Sequence, residues 1–208
     1  MLEVCRSTRG PSAVVVLPFE ERLCLVLCGL AEAGLGNSTA AHDYWLEAER
    51  KIAQHPVMLD WYMTLMLEWG RVSLLLLTGA RAEAGAGADR FVRLAGDTDE
   101  RTWQALALET WARVALERGA ANEAVERIEK ALAATKGFET PLADWRVHAT
   151  AAVAYGASGN LPLASRHADL GSAARRRLVE SLPQEHRLRR LFESGARVFP
   201  PLASSHPP

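Results

Sequence analysis

The chain has 208 residues, 49% of them hydrophobic, with 24 basic residues against 25 acidic ones. It is long and apolar enough to bury a sizeable core, and its near-neutral charge argues against a bulk electrostatic attraction to nucleic acid or membrane. The strongest apolar stretches, Leu23 to Leu30 and Leu74 to Leu77, fall short of the roughly 20 residues that cross a bilayer.

Residues 1–17 read as an N-terminal tail. Arg6, Arg9 and the short run Val14 to Leu17 do not make a secretory signal, so a cytoplasmic location is expected, and the apolar run suggests pairing with something outside it. Cys5, Cys24 and Cys28 are an odd number with no flanking ligands at metal-site spacing. They are expected to be thiols used as small hydrophobes, with neither a disulfide nor a metal.

From residue 18 to 181 a helical period dominates. Ser38 is expected to cap the helix after Gly36, Asp99 the helix containing Trp103, and Thr140 a helix whose first turn holds Pro141. Gly36, Gly79, Gly119 and Gly159 each fall between two periodic segments, where a left-handed turn is easiest without a side chain. Helical hairpins result. Residues 182–198 read as a capping helix with a polar outer face, and 199–208 as a disordered tail.

The hairpins repeat. Phe19, Trp61, Trp103 and Trp145 stand 42 residues apart, each followed nine positions later by a small residue: Cys28, Gly70, Ala112 and Ala154. The four aromatics are expected to pack between neighbouring hairpins. In the second helices, Ala41, Ala84, Ala124 and Ala164 each lie five residues beyond a turn glycine. Residues four and seven further on (Trp45 and Ala48, Ala88 and Phe91, Ile128 and Ala131, Ala168 and Gly171) share their helical face. A period of 20 to 50 residues signals stacked supersecondary units.

These residues resemble the tetratricopeptide repeat (TPR) family. The third unit carries the pattern most fully, in Leu108, Trp111, Ala112, Ala115, Gly119, Ala124, Ile128, Ala131 and Leu132; the first follows with Gly29, Gly36, Ala41, Trp45 and Ala48. The resemblance implies an all-α fold, a right-handed α-solenoid of four TPR-like hairpins plus the C-terminal capping helix. The family's usual repeat is about 34 residues, whereas first helices here recur every 42 and the second-helix alanines at 43, 40 and 40. Long repeats of this kind look similar to the C-terminal arrays of bacterial signal-transduction ATPases that carry cyclase or LuxR-type domains, over roughly residues 19 to 198. A phosphate-binding Gly-x4-Gly-Lys-Ser/Thr loop is missing, so nucleotide hydrolysis is not carried over. A fragment, a split gene product and a free-standing adaptor all stay open.

The implied function is a non-enzymatic protein-interaction or sensor module, with a protein or peptide partner such as a regulator or ATPase, no cofactor and no membrane. The first helices of the family line its concave surface, which makes Arg71, Glu109, Arg113, Glu117, Arg146 and Tyr155 the candidate partner-binding groove. The bland alternative is a solvated face with an intrahelical Glu109 to Arg113 pair. The other open reading is a small-molecule receptor or enzyme using the concave cavity. His148 and His167, on opposite helices of the last hairpin, could meet Asp144 or Asp169 as an acid/base or ligand cluster, but scattered surface or hydrogen-bonded histidines are the expected case. The C-terminal arginines, Arg175 to Arg177 and Arg187 to Arg190 among them, lack the base-stacking aromatics or recognition helix that nucleic-acid binding would require.

Overall fold

A computed structural model describes residues 18–185 together with Arg189 and Arg190. The described chain is helical throughout: α1 (Pro18–Gly34), α2 (Ser38–Gln54), α3 (Asp60–Leu77), α4 (Arg81–Gly96), α5 (Arg101–Glu117), α6 (Ala121–Thr135), α7 (Pro141–Ala157) and α8 (Leu161–Glu180). Of the expected capping helix, residues 182–185 are non-helical and Arg189 and Arg190 are helical; its other residues, like the expected tails 1–17 and 199–208, lie outside the described residues. The chain divides into two compact units, Met1–Leu74 and Leu75–Pro208.

Local chemistry sets the helix ends. Gly36, Gly79, Gly119 and Gly159 all have φ between 76° and 84°, so the four expected turns are left-handed. All three expected caps differ, two in position and one in its side-chain bond. The Glu100 carboxylate, rather than Asp99, accepts from the N–H groups of Thr102 and Trp103, because Glu100 sits one residue before α5 begins. Asn37 rather than Ser38 holds the N-cap of α2; its side chain caps no amide and donates instead to Glu32 Oε2 at 2.7 Å. Thr140 does precede Pro141 at the start of α7, but its hydroxyl donates to Asp144 Oδ1 at 2.7 Å instead of capping an amide.

In the first unit Trp45 of α2 is the centre of the packing and is fully buried. Its indole lies against Gly29 of α1 and Gly70 of α3, and its Nε1 donates to the Val26 carbonyl at 3.3 Å. Both glycines are there because a β-carbon would overlap the indole. Arg22 closes the same unit: its Nη1 donates to Asp60 Oδ1 and Oδ2 at 2.6 and 2.8 Å, and its Nη2 to the carbonyls of Lys51 and His55. One guanidinium thus ties α1 to the end of α2 and the start of α3.

In the second unit α4 packs on α5, α5 on α6 and α7, and α7 on α6 and α8. The i, i+4, i+7 faces Ala84, Ala88, Phe91 and Ala124, Ile128, Ala131 are fully buried, as Ala41, Trp45 and Ala48 are in the first unit. Trp111 is core, as expected; its Nε1 donates to Asp89 at 2.6 Å and the Arg127 guanidinium lies 4.5 Å from its ring centre. The last helix departs from the pattern. The buried residues of α8 are His167, Gly171 and Ala174, so its contact face begins three residues later than Ala164. The 42-residue aromatics also diverge: Trp103 is buried against Phe91, Phe19 and Trp145 are half-buried, and Trp61 is 42% exposed.

Candidate functional site

The six residues expected to line a groove fall in different environments. Arg71 bridges α3 to α2 through a two-pronged contact with Glu49, at 2.5 and 2.6 Å. Glu109 and Arg113 of α5 and Arg146 of α7 form a buried charge cluster. Glu109, 1% exposed, accepts from the Thr150 hydroxyl at 2.7 Å and lies 3.5 Å from Arg146 Nη2 and 4.0 Å from Arg113 Nε. Burial pushes the Arg146 guanidinium below its usual range, opposed by the nearby Glu109 carboxylate and reinforced by Arg113. These side chains do not form an open ladder, nor the solvated face of the alternative reading; they join α5 to α7. Glu117, at the end of α5, is part-exposed and 3.7 Å from Arg81 of α4.

Tyr155, of the six, lines a cleft. It stands on α7 with its ring buried, and its hydroxyl donates to Glu129 of α6 at 3.2 Å. Around it opens a cleft of about 460 Å³ between α6, the end of α7 and the start of α8. Asn122, Glu126 and Glu129 come from α6 and Asn160 from the turn before α8, while Val125 and Leu163 supply apolar surface. Helix α6 sends these residues outward because its opposite face, Ala124, Ile128 and Ala131, is consumed by the core. Asn160 is fixed by its capping role, its Oδ1 accepting from the Leu163 N–H at 3.2 Å. The ionisable residues lining the cleft are two carboxylates and a phenol; Lys130 reaches Glu126 at 2.6 Å. Burial, and then Glu129, raise the Tyr155 phenol above its usual range, so at neutral pH it is a hydrogen-bond donor rather than a base.

On the other side of Tyr155 lies the histidine pair that the sequence brought to notice. His148 Nδ1 and His167 Nδ1 are 2.9 Å apart, and the His167 ring stacks on Tyr155 with centroids 5.3 Å apart and planes 15° from parallel. Burial lowers both histidines below their usual value. Asp144 opposes this at His148, whereas each histidine also feels an arginine of α8, Arg177 or Arg166.

Among the described residues no group of three or more His, Cys, Asp or Glu side chains could hold a metal ion, and no helix is long and apolar enough to cross a membrane. Of the described cysteines, Cys28 is buried and Cys24 half-buried. The sequence pointed to Tyr155 and missed Glu126, Glu129 and Asn122, which look like any other polar residues on an outward helix face. Only Asn160, next to the turn glycine, carried a local signal. The chain matches no protein-family model, no curated protein and no solved structure.

Proposed function

We propose that the chain is a TPR-like array of four helical hairpins acting as a non-enzymatic protein-interaction module of a bacterial regulatory system, in the cytoplasm. Its partner, a regulator or ATPase, presents a segment bearing an arginine or lysine to the cleft around Tyr155. The observation that carries this reading is the cleft's lining: carboxylates at Glu126 and Glu129, side-chain amides at Asn122 and Asn160, and a buried phenol at Tyr155. Carboxylates recognise a cation, amides pair with an extended backbone, and Val125 and Leu163 take the aliphatic stem of the basic side chain. The repeat pattern and the buried small-residue faces support the family reading, and family likeness by itself names no ligand.

The test is fluorescence anisotropy with short labelled peptides, basic, neutral and acidic, against the wild type, Glu129→Gln and Asn122→Ala. The basic peptide should bind most tightly, about tenfold more weakly to Glu129→Gln, corresponding to roughly 1.4 kcal/mol for one lost charge-assisted bond. Its binding should also weaken with salt. Equal binding of all three peptides, or basic-peptide binding that the variants leave unchanged, would reject the cleft as the site.

A further inference from the structure

We propose that His148 and His167 form a proton-operated latch that holds α8 against α7, and that the latch controls the neighbouring cleft through Tyr155. The control of the cleft rests on the function proposed above; the latch itself does not. The geometry starts from the 2.9 Å separation of the two Nδ1 atoms. Two imidazole nitrogens at that distance share one proton, one ring donating and the other accepting. A first added proton goes to the outer Nε2 of the donor ring and leaves the shared bond in place. A second must sit on the acceptor Nδ1, where it faces the N–H already there, and the bond is lost to repulsion between two imidazolium rings. The pair therefore titrates as a unit.

The position of the pair gives that event leverage. His167 is one of only three buried residues of α8, with Gly171 and Ala174. At Gly171 the approach to α7 is so close that an added β-carbon would lie 3.2 Å from the Ala149 nitrogen and 3.4 Å from His148 Cβ. With that close contact beside it, separation of the imidazoles moves α8 away from α7. The surrounding charges do not rescue the doubly protonated state: Arg166 and Arg177 of α8 oppose it, Asp144 of α7 favours a proton on His148, and Glu129 of α6 is reached only through Tyr155. Because burial lowers both histidines below the unfolded value of about 6.5, the docked state binds fewer protons than the released one. Its stability is full above pH ~6.5 and falls as the pH drops below that value. Tyr155 transmits the change, since its ring stacks on His167 while its hydroxyl holds Glu129 in the cleft.

Amide hydrogen exchange of the full chain at pH 7.5 and pH 5.0, corrected for intrinsic rates and referenced to α6, tests the latch. In the wild type, protection of α8 should fall several-fold at pH 5.0 relative to α6, because the docked state binds fewer protons than the released one. In His167→Gln, or in His148→Gln should the first fold poorly, the ratio should not change with pH. A pH-independent ratio in the wild type, or the same fall in a folded Gln variant, would overturn the latch. Basic-peptide affinity, measured in parallel, should fall with α8 protection. If α8 loosens while affinity holds, the link to the cleft is overturned and the latch stands; no basic-peptide binding at either pH overturns the cleft reading instead.

Discussion

Replacing Glu109 with Gln removes one charge from the buried cluster that joins α5 to α7 while nearly preserving its shape. The carboxylate is 1% exposed and both arginines near it 6% exposed, so water screens little of the interaction. In the variant, Arg113 and Arg146 lose the anion between them, although the amide oxygen still accepts from Thr150. Breaking a buried ion pair by deleting one partner costs about 3–5 kcal/mol. Retention of the Thr150 bond places the expected loss near ~3 kcal/mol, a large share of a total stability of about 5–15 kcal/mol. Urea unfolding followed by tryptophan fluorescence measures it, with circular dichroism to confirm that the helices persist. Thr150→Val should cost ~1–3 kcal/mol by leaving Glu109 Oε1 without its donor. Because both residues act on the same oxygen, the double variant should fall short of the sum. A loss below ~1 kcal/mol for Glu109→Gln, the size of an exposed helix pair, would refute the buried-cluster argument and restore a solvated α5 face.

Other substitutions separate structural from surface roles. Arg22→Met removes the cation paired with buried Asp60, leaving that carboxylate the Val57 N–H, and removes the side-chain donor to the Lys51 and His55 carbonyls; it should destabilise the chain by ~3 kcal/mol in the same urea assay. Gly29→Ala gains about 1 kcal/mol of helix propensity but forces the Trp45 indole aside, so a net loss of ~1–2 kcal/mol is expected, seen as a lower Tm with altered Trp emission. Trp111→Phe keeps most of the ring but loses the 2.6 Å bond to Asp89, which is exposed and can take water instead, at a cost of ~0.5–1.5 kcal/mol. Arg71→Ala opens the part-exposed pair with Glu49 and also removes the cation 3.9 Å from the buried Glu68 carboxylate, so it should cost more than an exposed pair, ~1–3 kcal/mol.

Much of the local architecture was legible because it depends on neighbours in sequence. A left-handed turn needs a residue without a β-carbon, and the four expected glycines occupy such turns. A helix face is set by a 3.6-residue period, which is why Ala41, Trp45 and Ala48, like Ala124, Ile128 and Ala131, were identified before any packing was known. The rule held only in part at α8, where the repeat pointed to Ala164, Ala168 and Gly171: Gly171 is buried, but Ala164 is half-buried, Ala168 exposed, and the other buried residues are His167 and Ala174. Periodicity gives the spacing of a face; the neighbouring helix decides which residue begins it.

The candidate site shows the same division. The sequence by itself determined a helical period over residues 18–181, its turns and the small residues that allow close helix approach; it placed His148 and His167 on opposite helices of one hairpin, but their direct contact came from the structure. Only the tertiary structure decided that Glu109, Arg113 and Arg146 are enclosed together while Tyr155 opens onto a cleft with Glu129. Charged residues look alike in sequence whether they face water or a neighbouring helix. What distinguishes them is the desolvation and pairing that arise when α5, α6 and α7 pack, at separations in sequence that no local pattern encodes.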